Sequence, residues 1–190
     1  MNSGHGDYDS LVRPIEDRMI RSVWRIVRDP QDADDAFQEA LTTVWKRLDR
    51  IRRHPNPHAL ILRICINSAY DVIRRRVRHQ RREQLEPVPE TLPDPSPSAA
   101  ERISGREKRA DIFQAISRLP RKQAQAVLMR FVEELPYSQI AQALGCRKVT
   151  ARKHIARART RLSRELAHLA PYSRKEVLKN EREPRSEGVG

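Results

Sequence analysis

Cysteine and aromatic side chains are scarce in this chain of 190 residues. It has two cysteines, and Phe, Trp and Tyr together make up 5% of the sequence. Two cysteines cannot build the disulfide framework of a small secreted protein, and an apolar share of 38% predicts small hydrophobic cores. No apolar run approaches the roughly 20 residues that cross a bilayer, and the first residues lack the apolar stretch of a signal peptide. We therefore expect a cytoplasmic protein without membrane insertion.

Positive charge, by contrast, is abundant and unevenly placed. Lys and Arg number 38 against 25 Asp and Glu, a formal net charge of +13. Residues 1–49 carry seven bases and ten acids, whereas residues 72–82 carry six arginines and residues 147–164 carry eight Lys or Arg, with no acid in either stretch. Such clustering predicts an anionic partner, nucleic acid before an acidic membrane. Membrane binding by the arginine runs is disfavoured because no bulky apolar residues face them.

A proline-rich acidic segment separates the two basic stretches. Residues 83–101 contain five acids, five prolines and no Lys or Arg. Repeated proline excludes a helix there, so we predict a flexible linker at residues 85–106. Its acids can attract the basic regions when DNA is absent, which predicts a partly self-masked chain. The flanking domains are predicted at residues 8–84 and 107–170, followed by a disordered tail at residues 171–190.

The periodicity is helical on both sides of the linker, without alternating strand patterns, and predicts an all-α fold of two small domains. In the first domain we expect helices at residues 10–28, from about 32 to 48, and at 58–80. In the second we expect them at residues 99–117, 121–133 and 137–144, followed by a basic helix that ends near residue 168. Asp29-Pro30 is expected to end the first helix.

A helix-turn-helix is predicted at about residues 137–157. A short helix, a turn of Gly145-Cys146-Arg147 and a longer basic helix have the spacing of that motif. In the longer helix Ala151, Ile155, Ala158 and Leu162 share an apolar side, and basic and small residues lie opposite, as a helix in the major groove requires. The alternative is a solvated arginine-rich helix, which the lack of acids over 18 residues disfavours.

The helix at residues 58–80 carries a polar stripe as well, at steps of four, four, three and four residues from Arg63 to Arg78. Asn67 can hydrogen-bond a base edge, and we expect Asp71 to orient the arginines beside it. On spacing alone, a surface helix with internal ion pairs is an equal alternative.

Three segments resemble the sigma-70 family of bacterial RNA polymerase sigma factors. Residues 32–41 (DADDAFQEAL) are similar to the helix that binds core polymerase, residues 64–76 to the helix that reads the −10 element, and residues 119–164 to the −35-reading domain. The short chain resembles the extracytoplasmic function (ECF) group. The order of these segments implies sigma regions 2 and 4 on either side of the linker, and a chain that binds core polymerase, recognises −10 and −35 elements and assists strand opening.

The resemblance also implies roles for individual residues. For core polymerase these are Asp32, Asp35, Gln38, Glu39, Leu41, Val44 and Trp45. For −10 DNA they are Arg63, Asn67, Asp71, Arg74, Arg75 and Arg78. For −35 DNA they are Arg147, Lys148, Thr150, Arg152, Lys153, Ala156 and Arg157. The implied partners are the beta and beta-prime subunits of core RNA polymerase, promoter DNA and, as a further candidate, an anti-sigma protein.

The chain departs from the family pattern in places. Leu60-Ile61 stands where relatives usually carry Trp-Leu ahead of the −10 helix. Arg147 replaces a Ser that usually caps the recognition helix, and an Arg side chain cannot cap a helix as Ser does, although it can bind phosphate.

Two other classes of protein compete with this interpretation. A polymerase-independent helix-turn-helix regulator has no need of the acidic segment at residues 32–39, which disfavours it. An enzyme is disfavoured because the chain has no Gly-rich phosphate loop, cysteine cluster or Ser/His/Asp arrangement. His54 and His58 are separated by prolines that prevent a helical metal pair. We expect no catalytic residue, metal or cofactor.

Overall fold

The structure, a computed structural model, describes residues 3–83 and 108–169. Its helices in these ranges are α1 (Ser3–Val12), α2 (Glu16–Ile26), α3 (Pro30–Lys46), α4 (Leu48–Arg52), α5 (Pro57–Glu83), α6 (108–117), α7 (Arg121–Phe131), α8 (Tyr137–Leu144) and α9 (Lys148–Glu165). No strand occurs in these two ranges, so the predicted all-α fold is confirmed. The linker at 85–106, the tail at 171–190 and the predicted helix start at residue 99 lie outside the described residues.

The single helix expected at residues 10–28 is wrong. The chain instead forms α1, a 3-10 turn at Arg13–Ile15 and then α2. Pro14 explains the break, because proline has no N–H to donate to the preceding turn and its ring crowds a continuous helix. The expected end is confirmed: Val27 leaves the helix in an extended conformation ahead of Asp29-Pro30.

The acidic helix α3 begins with a side-chain cap. The Asp29 carboxylate accepts a hydrogen bond of 3.1 Å from the backbone N–H of Asp32, and Pro30 occupies the first turn, where its missing N–H costs nothing. Ala33, Ala36 and Ala40 are fully buried on one side of the helix. These small side chains bring α3 close to the central helix α5, leaving the acids on the opposite side.

The 27-residue helix α5 contacts helices from both described ranges of the chain. Its N-terminus is capped by the side chain of Asn56, whose Oδ1 accepts a hydrogen bond from the Ala59 N–H at 3.0 Å. Ile61, Cys65 and Ile66 are fully buried. They pack with the other helices of residues 3–83, which we call the first half of the chain. Burial raises the pKa of the Cys65 thiol to about 12, because a low-dielectric core disfavours the thiolate.

In residues 108–169, which we call the second half of the chain, α8 and α9 are joined by the short turn that the sequence predicts. Gly145 adopts the left-handed conformation at φ 62° and ψ 44°, and the Cys146 N–H donates to the Ala141 carbonyl at 2.9 Å. This is the geometry in which glycine ends a helix without a Cβ penalty. Ala151, Ile155 and Ala158 are buried, and Leu162 is partly buried against the same core, so the predicted apolar side of α9 is confirmed.

The two halves pack against each other in one continuous core. Buried side chains extend without interruption from α2, α3 and α5 to α7, α8 and α9. Tyr70 of α5 is fully buried between them, and its hydroxyl donates to the Leu119 carbonyl at 2.9 Å and approaches the Ser117 carbonyl at 3.3 Å. Helix α5 therefore serves as a wall for both halves of the chain.

Candidate nucleic-acid interface

The outer side of α9 is an exposed cationic surface, which we call the α9 face. The α9 face consists of Arg147, Lys148, Thr150, Arg152, Lys153, Ala156 and Arg157. Thr150 is half-buried, and the other members are exposed. With the apolar side of α9 fixed on the core, these side chains are directed outward from the first turns of the second helix of the motif. That is the part of a recognition helix that contacts base edges.

Arg147 occupies the N-cap position of α9 without capping it through its side chain. Its backbone is extended (φ −74°, ψ 150°), and its carbonyl accepts from the N–H groups of Thr150 and Ala151 at 2.8 and 3.1 Å. The guanidinium therefore stands at the positive end of a helix, where anions are favoured. With Arg147 at the N-cap, α9 begins at Lys148 without a side-chain cap, and this end of the α9 face carries a cation.

Tyr137, the first residue of α8, holds one of these cations in place. The guanidinium carbons of Arg130 and Arg152 lie 5.1 and 5.2 Å from the centre of its ring. Cation–π contact at this distance is attractive and restricts the side chain of Arg152. Sequence reasoning missed Tyr137, because its partners lie 7 and 15 residues away and no helical spacing relates them.

His154 adds no charge beside the α9 face. Burial lowers its pKa from the ordinary 6.5, and nearby Lys122 and Arg157 lower it further. The imidazole is therefore neutral at pH 7, and the positive potential of this surface comes from Lys and Arg alone.

The residues expected to read the −10 element lie along α5, and the structure divides them into two groups. Arg74, Arg75 and Arg78 are exposed, whereas Arg63, Asn67 and Asp71 are partly covered by the second half of the chain. We call the six together the α5 face.

We expected Asp71 to orient the arginines beside it on α5, but its carboxylate is directed to another helix. It forms an ion pair with Arg121 at the start of α7. The reason is geometric: Asp71 faces α7, while Arg74 lies over the Tyr70 ring and Arg78 donates to the Arg74 carbonyl.

Arg63 lies in a crowded positive environment. One of its terminal nitrogens donates to the Ala143 carbonyl at 2.6 Å, but its Nε is buried without a partner among the described residues. Burial lowers its pKa, as do the charges of Arg47, Arg50 and Arg121. A guanidinium so placed is poorly compensated, because a neutral carbonyl offers less than an anion.

The third predicted surface lies on α3. Asp35, Gln38 and Glu39 are exposed, and Leu41 is half-buried. Trp45 is 48% exposed and forms an edge-to-face contact with Tyr8, with ring centres 5.5 Å apart. We call Asp32, Asp35, Gln38, Glu39, Leu41 and Trp45 the α3 face. Val44 is fully buried, so it supports this surface from behind and is not part of it.

Arg76 joins the α3 face to α5. It pairs with Asp32, and its terminal nitrogen lies 3.1 Å from the Asp29 carboxylate at the cap of α3. The cap bond from Asp32 N–H, with smaller contributions from Arg76, lowers the pKa of Asp29. Sequence reasoning placed Arg76 in a basic run and missed this connection, because the two elements are more than 40 residues apart.

The described residues contain no group of three or more His, Cys, Asp or Glu side chains placed to hold a metal ion. None of their helices is both long and apolar enough to cross a membrane.

Helix α9 buries its apolar side and exposes a cationic one, and the short helix α8 precedes it. Together they define a helix-turn-helix DNA-binding protein with an all-α fold. Family models named "Sigma-70 region 2" and "Sigma-70, region 4" match residues 11–79 and 109–162. The chain belongs to the sigma-70 family of RNA polymerase sigma factors and to its ECF group. Proteins of this family are transcription initiation factors, and the chain directs promoter-specific initiation by RNA polymerase.

Individual relatives agree with this assignment. The chain is 33% identical to an RNA polymerase sigma-E factor of Streptomyces avermitilis over 85% of this chain and 88% of the relative. It is 32% identical to the sigma-E factor of Streptomyces coelicolor, over 84% and 86% of the two chains. It is 30% identical to the ECF sigma factor SigE of Mycolicibacterium smegmatis over 84% of this chain and 62% of the relative.

A solved structure supports the fold. CnrH, solved in complex with the cytosolic domain of CnrY, superposes with a TM-score of 0.52 at 17% identity, covering 86% of this chain and 89% of that one.

A polymerase-independent regulator is not favoured, because the match to region 2 covers the half of the chain that a helix-turn-helix regulator does not need.

Proposed function

We propose that three surfaces divide the work of this sigma factor. The α3 face binds core RNA polymerase, the α5 face holds and reads the opened −10 strand, and the α9 face reads the −35 duplex. We assign these to a first domain at residues 8–84 and a second at 107–170, joined by a linker at 85–106 and followed by a tail at 171–190. The protein acts in the cytoplasm with the beta and beta-prime subunits, and has no catalytic chemistry or cofactor of its own.

The α9 face is the observation that carries the proposal. Its exposed cations stand on a helix whose opposite side is fixed in the core, so the helix can enter a groove as a rigid body. Arg147 and Lys148 at its start suit phosphates, and Arg152, Lys153 and Arg157 are exposed on its first turns, where we expect contacts with base edges.

The α3 face suits a protein partner better than DNA. Its exposed residues are acidic or neutral, which opposes contact with phosphate, and the half-exposed Trp45 ring beside them supplies apolar area. Aromatic side chains of this kind are enriched in protein–protein interfaces.

The α5 face suits single-stranded DNA. Its arginines attract the backbone, and Asn67 can pair with the edge of an unstacked base. An opened strand offers base edges that a duplex hides, so these residues are expected to act after closed-complex binding.

Run-off transcription with core polymerase on genomic fragments tests the function as a whole, and the upstream region of its own gene is the first template to use. The double change Asp35→Arg with Gln38→Ala should abolish core binding in co-purification, whereas Asp49→Arg, at another exposed acid, on α4, should not. Stoichiometric co-purification of the double variant would refute the docking assignment.

Two further variants test the division between the DNA surfaces. Arg157→Ala should weaken −35 duplex binding by about 1–3 kcal/mol if it contacts a guanine, while Arg164→Ala, near the far end of α9, should have little effect. Asn67→Ala should reduce open-complex formation, seen by permanganate footprinting, with closed binding kept. Equal loss of both signals in Arg157→Ala and Asn67→Ala would count against separate roles. An anti-sigma protein stays a predicted partner, to be sought by co-purification from cells.

A further inference from the structure

We propose that Arg76, although it lies in the arginine run of α5, serves the binding of core polymerase rather than of DNA. It is a positioning residue that holds the acidic start of α3 in the arrangement that docks. The inference rests on the proposed role of the α3 face. It gives Arg76 a task different from that of Arg74, Arg75 and Arg78, which we expect to contact the −10 strand.

Arg76 points away from the arginines of the α5 face. At about 100° per residue, it lies about 160° around the helix from both Arg74 and Arg78. That direction leads to α3, which packs against α5. The side chain of Arg76 is partly exposed, but its guanidinium is turned to carboxylates of α3. A strand held by Arg74 and Arg78 would therefore not meet it.

The guanidinium of Arg76 bridges two carboxylates at the start of α3. Its Nε pairs with Asp32 Oδ2, and a terminal nitrogen lies 3.1 Å from Asp29 Oδ2. Asp29 Oδ1 in turn accepts from the Asp32 N–H at 3.1 Å. The arginine, the helix cap and the first acid of the α3 face thus form a closed ring of contacts. A guanidinium suits this position because its planar N–H groups can engage two acceptors at once.

The start of α3 concentrates negative charge. Asp29, Asp32, Asp34 and Asp35 lie within seven residues, and Asp34 and Asp35 are exposed. The positive end of the helix favours these acids, but they also repel one another. Arg76 offsets that repulsion: after the cap bond from the Asp32 N–H, its hydrogen bond and charge further lower the pKa of Asp29. The arginine therefore stabilises the charged form of this end of α3.

The contact with Arg76 prepares Asp32 for a protein partner without occupying it fully. A mobile side chain loses rotamer freedom when an interface forms, and this loss weakens the complex. Arg76 restricts Asp32 before polymerase arrives. It does so through Oδ2, and a carboxylate can accept hydrogen bonds at both oxygens. Asp32 can therefore accept from the polymerase through Oδ1 in a position that Arg76 has already set.

Arg76→Ala tests this role in a competition assay, in which each variant displaces labelled wild-type chain from core polymerase. The side chains of Arg76, Asp29 and Asp32 are 48, 42 and 32% exposed, so solvent screens their attraction. We therefore expect Arg76→Ala to remain folded, as urea unfolding will show, and to bind core about two- to fivefold more weakly. Arg75→Ala, which changes the exposed neighbour on α5, should compete as the wild type does.

DNA binding distinguishes a positioning residue from a −10 contact. Each phosphate contact to a single strand adds about 0.7 to the slope of log affinity against log salt. The probe is a single-stranded oligonucleotide from the −10 region of a promoter found by run-off transcription, and core polymerase is saturated with each variant. Arg76→Ala should keep both the affinity and the slope of the wild type. Arg75→Ala should lower the affinity, so the two variants have crossed effects.

Two more variants test whether Arg76 acts through the start of α3. Arg76→Lys keeps the charge but loses the planar fork, so it should restore part of the core affinity lost in Arg76→Ala. Asp29→Asn removes one of the two bridged carboxylates and keeps the cap. In the Asp29→Asn background, Arg76→Ala should therefore cost less core affinity than it does in the wild type. No rescue by lysine, or equal costs in both backgrounds, would overturn the proposal.

The remaining outcomes separate this proposal from the docking assignment on which it rests. If Arg76→Ala competes as well as the wild type while Asp35→Arg with Gln38→Ala loses core binding, the α3 face stands and the positioning role is wrong. If Arg76→Ala lowers the salt slope by about 0.7, Arg76 contacts phosphate and belongs with the DNA-binding arginines. If Asp35→Arg with Gln38→Ala keeps core binding, the docking assignment fails and the role of Arg76 falls with it.

Discussion

The turn between α8 and α9 gives a prediction whose magnitude can be worked from the structure. Gly145 has φ 62°, and a Cβ added there would have no neighbouring atom within 4 Å. The cost of Gly145→Ala is therefore the backbone cost of a left-handed non-glycine residue, about 1–2 kcal/mol in free energy of unfolding. For a chain of this length each kcal/mol corresponds to a fall of roughly 2–4 °C in Tm.

Urea unfolding followed by circular dichroism measures this change. Gly145→Asn is the matched variant, since asparagine tolerates the left-handed region better, and its loss should be smaller. The folded Gly145→Ala protein should bind −35 duplex as the wild type does, because no side chain is displaced. A loss above ~3 kcal/mol would exceed the backbone cost and refute the reasoning by showing a steric clash, and no loss at all would show that the turn relaxes.

The same reasoning predicts the opposite sign eleven residues earlier. Glu134, which follows α7, has φ 55° although it is not glycine. Glu134→Gly removes this strain but adds chain entropy to the unfolded state, so we expect a net gain of about 0.5 kcal/mol. A loss of stability in the same urea experiment would show that the Glu134 side chain makes a compensating contact.

The remaining predictions concern single side chains. Tyr137→Leu should weaken −35 duplex binding about two- to fivefold, as expected for losing an exposed cation–π contact, whereas Tyr137→Phe should not, and adding Arg152→Ala to Tyr137→Leu should cost less than Arg152→Ala alone. Because the pKa of Asp29 is lowered, its charge stabilises the fold above the ordinary pKa of 3.8, and this contribution is lost as pH falls through the lowered pKa. Asp29→Asn, which keeps the cap, should therefore reduce the fall of Tm at acid pH. An unchanged dependence of Tm on pH would contradict this. A thiol reagent at mildly alkaline pH should label Cys146 quickly and buried Cys65 only after unfolding, and rapid labelling of both would refute the burial of Cys65.

Local periodicity was sufficient to predict most helices of the second half. The bounds of α8 agree with the prediction, and the apolar side of α9 is where the spacing of Ala151, Ile155 and Ala158 placed it. These features depend on residues three or four positions apart, which a sequence displays directly. The split at Pro14 was missed because proline tolerates a first helical turn as well as a break.

The contacts of the candidate site could not be predicted in the same way. Asp71 and Arg121 are 50 residues apart, and Asn67 and Gln125 are 58 apart. Each pair joins helices on opposite sides of the linker, and no periodicity within either helix specifies which one it will face. The sequence identified residues with suitable chemistry on α5, and only the packing of the two halves shows that half of them are engaged. Their roles toward polymerase and DNA stay predictions.

The burial of Tyr70 between the two halves has a thermodynamic consequence. Because one core runs through both halves, melting either one exposes apolar surface on the other, and the closed chain should unfold in a single calorimetric transition. Separation of the halves leaves two smaller cores with independent stabilities, and thus two transitions. Calorimetric cooperativity therefore reports whether the halves are joined, and a ligand that inserts between them would be recognised by the splitting of one heat-absorption peak into two.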